Sequence, residues 1–197
     1  MSAGERTYQP GEFIDAPLRS YLAQLASETP TPGGGSSAAL VAALAAGLGE
    51  MVAAFTVGRP KFAAVDEDVR IIREHLRQAR EMLQRLIDQD AEAYAGLSSA
   101  FKLDRTDPMR GGKIQSAAAI AAGVPFQTAV LARRVGSDLQ TLQSIANPNL
   151  ITDVKAGLAF AQAAFSAAIA NTQANLPYME ARDAERMRGE LRAIGVG

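Results

Sequence analysis

Prolines standing between long alanine-rich stretches constrain this chain more than any other feature, because each stretch favours helix and each proline ends or interrupts one. No stretch alternates apolar and polar residues over a strand's length, and aromatic residues are only 6% of the chain, so strand propensity is low throughout. The spacing predicts a first helix over residues 16–27, with Leu18, Tyr21, Leu22 and Leu25 on one face and Pro30 and Pro32 closing it. A second runs from Ser36, a suitable N-cap, to Thr56, with Gly58 after its last turn. A third follows Pro60 to about Ala100 along the stripe Val69, Ile72, Leu76, Leu83, Leu86 and Ile87. Asp107 and Pro108 open a fourth that reaches about Ile145, and Pro125 inside it is expected to kink or split it. Beyond Pro148, a fifth helix over residues 151–176 is apolar on nearly every side and belongs at the centre. Pro177 restarts a polar last helix over residues 178–194.

The expectation is an all-α, elongated bundle of five to six helices, one domain over residues 13–197 behind a flexible tail over residues 1–12. The small faces of the second and fifth helices need another helix against them, so dimerisation through helix faces is expected.

Twenty Lys and Arg balance 21 Asp and Glu, leaving no field to draw in nucleic acid or anionic lipid. The absence of cysteine removes disulfides, thiol catalysis and thiolate metal sites, and a single histidine, His75, is too few for a typical zinc site; no metal is expected. The apolar run over residues 38–57 carries Glu50 and relies on Ala and Gly, which reads as a core helix and not a membrane span. The start of the chain lacks the charged and apolar regions of a signal peptide, so the cytoplasm is the expected location.

A few polar groups stand in apolar company. Asp90 lies at i+4 from Leu86 and i+3 from Ile87, on the apolar face, whereas Asp88 and Glu92 point toward solvent. Burial raises a carboxyl's pKa toward the range useful for proton transfer, although such a group also serves simply to tie helices together. Asn171 and Asn175, one turn apart on the fifth helix, either bond a ligand's amide edge or bond across helices. Asn147, Asn149 and Asp153 cluster at the start of the same helix as turn formers, caps or ligand contacts. Gly33, Gly34, Gly35 and Ser36 place bare N–H groups at a helix mouth, an anion site or a plain cap, without the Lys-Ser ending of a phosphate loop. Lys113 and Arg110, near the start of the fourth helix, are either cations for a carboxylate ligand or ordinary surface charge, and Lys61 and Arg59 flank Pro60 as a small cationic rim.

Taken in order, Pro30-Thr31-Pro32-Gly33-Gly34-Gly35-Ser36, Met51-Val52, residues 56–62, Asp88, Asp90, Ala91, Ala93 and Tyr94, Lys113-Ile114-Gln115, Val124-Pro125, residues 147–153 and residues 171–175 resemble the cyclodeaminase/cyclohydrolase family. That family includes the cyclodeaminase part of formiminotransferase-cyclodeaminase and stand-alone methenyltetrahydrofolate cyclohydrolases, and the resemblance covers most of residues 13–180.

The resemblance implies an all-helical homodimer acting on a tetrahydrofolate derivative as substrate, with no tightly bound cofactor. Its implied reaction is hydrolysis of 5,10-methenyltetrahydrofolate to 10-formyltetrahydrofolate. The alternatives are cyclodeamination of 5-formiminotetrahydrofolate, with a separate formiminotransferase as a partner, and a non-enzymatic helical dimer or folate-binding scaffold. Asp90 is then the expected general base and Asp153 the second choice. Otherwise Asp153, with Asn147 and Asn149, is placed at the pterin, and Gly33, Gly34, Gly35, Ser36 and either Lys61 or Lys113 at the glutamate carboxylates. Asn171 and Asn175 are further substrate contacts. Ala54 stands where the family carries an asparagine, and this is the support for the non-enzymatic alternative.

Overall fold

A computed structural model describes residues 7–195 of the chain. Six α-helices carry the fold among these residues: α1 (Leu18–Leu25), α2 (Gly34–Ala54), α3 (Asp66–Phe101), α4 (Arg110–Ile145), α5 (Ile151–Asn175) and α6 (Ala181–Ala193). Short 3-10 turns over Phe13–Asp15, Pro60–Val65, Pro148–Leu150 and Leu176–Tyr178 join or precede them, and no strand occurs among the described residues. α3 and α4 have 36 residues each, so at 1.5 Å per residue each spans about 54 Å.

The helix at the centre is α2, packed against α3, α4 and α5. Its Ala39, Ala42, Ala45, Ala46, Val52 and Ala53 have no exposed surface. Small side chains let the neighbouring axes come close: a Cβ at Gly49 would stand 2.7 Å from Leu76 Cδ1, so glycine is required there. The expectation that the fifth helix is central is corrected. α5 buries Val154, Ala161, Ala164 and Ala168 but leaves Lys155, Gln162, Ser166 and Gln173 exposed. An alanine-rich surface is compatible with core and solvent alike, so its hydropathy does not separate the two.

Pro125 does not split α4, which continues from Arg110 to Ile145. Both α2 and α4 are long and apolar enough to cross a membrane by length and composition alone. In the bundle they pack on other helices, and the Glu50 charge of α2 is met by Arg80 of α3 at 2.5 Å.

Residues 1–6 of the expected tail lie outside the described residues. Within residues 7–12, Tyr8 exchanges two 2.8 Å hydrogen bonds with Gln24: its N–H donates to Oε1, and its carbonyl accepts from Nε2. Asp88 does not face solvent as the helical spacing predicts. It is buried and accepts N–H bonds from Phe13 at 2.6 Å and Ile14 at 3.3 Å, fastening the first 3-10 turn to α3. Because Asp88→Ala strands two amides and undocks Phe13, which is 3% exposed, thermal or urea unfolding is expected to show a loss of about 2 kcal/mol.

Candidate active site

The glycine stretch enters α2 through Gly33, whose extended backbone (φ −126°, ψ −162°) makes it the N-cap without a side-chain hydrogen bond. Ser37 is the first residue of the helix to return its N–H to the chain, onto the Gly33 carbonyl at 3.0 Å. The preceding N–H groups of Gly34, Gly35 and Ser36 have no intrahelical acceptor, and they concentrate the positive end of the helix dipole. Asp90, across on α3, takes one of them: Ser36 N donates to its Oδ2 at 2.9 Å.

This contact fixes the local sequence. A Cβ on Gly35 would lie 2.0 Å from Asp90 Oδ1, so the carboxyl reaches the helix mouth only because residue 35 has no side chain. Burial pushes the Asp90 carboxyl up to about 6, and the hydrogen bond from Ser36 opposes that rise in part. At neutral pH such a group is mainly the carboxylate, a stronger base than an ordinary aspartate.

Asp90 opens on a cavity of about 190 Å³ whose walls include Gly33, Gly34, Gly35, Tyr94, Asn171 and Asn175. The cavity brings together the first carboxylate expected from the sequence, the three glycines and both asparagines of α5. Tyr94 adds a residue not singled out as a site residue. Its signal was present, since it lies one turn beyond Asp90 on the same stripe, yet it is 47% exposed at the cavity edge. A larger groove of about 610 Å³ between α4 and α5 has no acidic side chain on its walls.

The remaining expected residues lie elsewhere. Ser36 has no exposed surface, and its hydroxyl is 3.1 Å from the Tyr21 hydroxyl, so only its N–H serves the site. Lys61 rests over the Phe62 ring at 5.6 Å, and Lys113 pairs with Asp107 at 3.2 Å on a different groove. Asn147 donates its N–H to Thr56 Oγ1 at 3.1 Å and accepts the Asn149 N–H on Oδ1 at 3.1 Å, holding its loop to the far end of α2. Asp153 opens α5 beside that loop. α2 and α5 run antiparallel, with Gly34 beside Asn171 and Ala45 beside Gly157. At 1.5 Å per residue, Asp153 is therefore about 27 Å along α5 from Asn171. Ala54, the departure that favoured a non-enzymatic scaffold, is exposed about 30 Å along α2 from Gly34.

His75 is engaged by Arg134, with 3.0 Å between Nδ1 and the guanidinium, on an exposed face away from the cavity. Among the described residues, no group of three or more Asp, Glu or His side chains is placed to hold a metal ion.

A buried carboxyl raised in pKa, set against backbone N–H donors at a helix mouth and opening on a small cavity, gives this all-helical protein a candidate small-molecule site. Residues 17–193 match the family model described as formiminotransferase-cyclodeaminase, and the chain belongs to that family. A methenyltetrahydrofolate cyclohydrolase from Methylorubrum extorquens is 31% identical over 182 residues, 90% of this chain and 88% of the relative. A formimidoyltransferase-cyclodeaminase from Rattus norvegicus is 33% identical over 147 residues, 73% of this chain, and the match spans 27% of that longer protein. The solved structure of a formiminotetrahydrofolate cyclodeaminase from Thermotoga maritima superposes with a TM-score of 0.84 at 28% identity, covering 91% of this chain and 88% of that one.

Proposed function

We propose that the chain hydrolyses 5,10-methenyltetrahydrofolate to 10-formyltetrahydrofolate, with Asp90 as the general base. The observation that carries this reading is the near-neutral Asp90 carboxyl in a cavity of the reacting group's size. Water adds to the amidinium carbon between N5 and N10 while the Asp90 carboxylate takes its proton and faces the substrate's positive charge. The proton returns to N5 as the carbon–N5 bond breaks, and the hydroxyl proton leaves as the formyl C=O forms. The Gly34 and Gly35 N–H groups are the donors we assign to the oxygen in that step.

A cavity of about 190 Å³ takes only the one-carbon end of a folate. With the Ser36 N–H already spent on Asp90, we place the glutamate tail outside the glycine mouth, and give Lys61 and Lys113 no part in this cavity. Cyclodeamination of 5-formiminotetrahydrofolate is the second reading, favoured by the Thermotoga maritima structure. In it N10 attacks the formimino carbon, the proton that N10 loses and one from protonated Asp90 turn the imino nitrogen into departing ammonia, and a separate formiminotransferase provides the substrate.

A spectrophotometric assay with both folates, at matched enzyme concentration, separates the two. Turnover of the methenyl compound with release of the formyl product supports the first reading; turnover of the formimino compound alone moves the chain to the second.

We further propose that the working form is a cytoplasmic homodimer. Val41, Leu44, Leu48, Met51 and Phe55 recur at alternating spacings of three and four on one face of α2, the pattern of a helix–helix seam. Leu44 within α2 and Phe55 at its C-cap are large apolar side chains left 51% exposed each. Antiparallel pairing of two α2 helices sets the partner's asparagine-loop end alongside the Asp90 end, which would give Asn147, Asn149 and Asp153 a place near the substrate. Leu44→Glu is expected to halve the mass measured by light scattering; an unchanged dimer would remove α2 from the interface.

A further inference from the structure

Pro125 has no N–H, so the Ala121 carbonyl, four residues earlier in α4, loses its usual helical donor. Ala121 is 6% exposed, and a buried carbonyl without a partner is costly. A different helix meets the need: Asn175 Nδ2 donates to Ala121 O at 2.9 Å. The same nitrogen donates to the Asn171 carbonyl at 3.1 Å, one turn back on α5. A side-chain amide has two N–H bonds to give, and both are now spent. Ala121 and Asn175 also share the wall of the cavity that holds Asp90.

We propose that Asn175 is a ligand-binding residue locked by the carbonyl that Pro125 frees, so that it turns only its Oδ1 acceptor toward the ligand and selects an N–H donor of a nitrogen heterocycle. This deepens the folate reading and rests on it for the identity of the ligand; the lock itself does not. The proline and the asparagine form one device across two helices. The break in the α4 ladder creates an acceptor, the acceptor fixes the amide's rotation, and the rotation fixes what the amide offers the cavity. Asn171 has a looser role, since its Nδ2 returns to Ala167 O within α5 at 2.8 Å and one N–H is left over.

The test is a cycle of four proteins: the native chain, Asn175→Ala, Pro125→Ala and the double variant, each measured by thermal unfolding and by KM and kcat for 5,10-methenyltetrahydrofolate. Alanine at 125 is the better helix former and restores the missing N–H, which can then serve Ala121 directly. Pro125→Val, close to proline in volume, provides a second background with the same restored donor.

Asn175→Ala is expected to lower Tm by about 5 °C when Pro125 is present and by less than half as much when residue 125 carries an N–H. It is expected to raise KM about tenfold when Pro125 is present, with a smaller change in kcat, and by less when residue 125 carries an N–H, because the amide is then no longer held with its acceptor toward the ligand. Equal thermal losses in all backgrounds would overturn the lock. An unmoved KM would overturn the acceptor role. A native chain inactive on this folate would sink the hydrolysis reading while the thermal cycle still decides the lock.

Discussion

Asp90→Asn is expected to lower kcat for 5,10-methenyltetrahydrofolate hydrolysis about 10³-fold, the scale of a lost general base, while the fold at neutral pH stays at least as stable. The amide oxygen of asparagine still accepts the Ser36 N–H, so the contact between α2 and α3 is kept while the titrating group is removed. The stability half follows from linkage. The carboxyl moves from 3.8 in the unfolded chain to about 6 in the fold, chiefly through burial, so between these values the native state holds more protons than the unfolded one. Asp90 thus contributes most to stability below pH 3.8, and that contribution falls as pH rises through about 6. The rise is worth about 3 kcal/mol at neutral pH, and the asparagine variant escapes it. Urea unfolding at pH 4 and pH 7.5 measures the difference: the variant gains on the native chain as pH rises. A loss of activity accompanied by a collapse in stability would assign Asp90 a structural duty instead.

Gly35→Ala should be nearly as damaging by a different route. The new Cβ overlaps the whole Asp90 carboxyl, at 2.0 Å from Oδ1, 2.5 Å from Cγ and 2.7 Å from Oδ2. Alanine gains about 1 kcal/mol over glycine in a helix, but the carboxyl must leave the helix mouth and surrender the Ser36 N–H. We expect a net loss of about 2 kcal/mol, the scale of overpacking a tight contact, and at least a 100-fold fall in kcat. Combining the change with Asp90→Ala removes the clash, so stability should recover while activity does not. Gly111→Ala, where nothing lies within 4 Å of the new carbon, is the control for the helix-propensity gain. Full activity in Gly35→Ala would show that the carboxyl need not sit where it does.

Helix identity and order were legible because proline and glycine act locally. Pro60 and Pro148 each open a 3-10 turn, and Pro177 lies in the one between α5 and α6. The interior of α4 was not legible in the same way, because the donor that meets the carbonyl left free by Pro125 stands 50 residues further on. Which alanine-rich helix is central was also hidden, since alanine signals neither burial nor exposure. For the cavity, the stripe through Leu86, Ile87 and Tyr94 was enough to single out Asp90. It misplaced Asp88 because periodicity reports the main core face, whereas Asp88 is covered by the first 3-10 turn, whose docking no helical pattern of α3 records. The distance of the asparagine loop from the cavity within one chain was not legible either. Antiparallel packing puts the two ends of α5 at opposite ends of α2, a distance no local motif encodes.

The most direct test of the central claim is the pH dependence of kcat/KM for 5,10-methenyltetrahydrofolate in the native chain and in Asp90→Asn, after subtraction of the uncatalysed rate. An ascending limb with its midpoint near 6 is expected in the native protein, following the Asp90 carboxyl, and no such limb in the variant. An Asp90→Asn protein with the native rate and the same limb would contradict that claim.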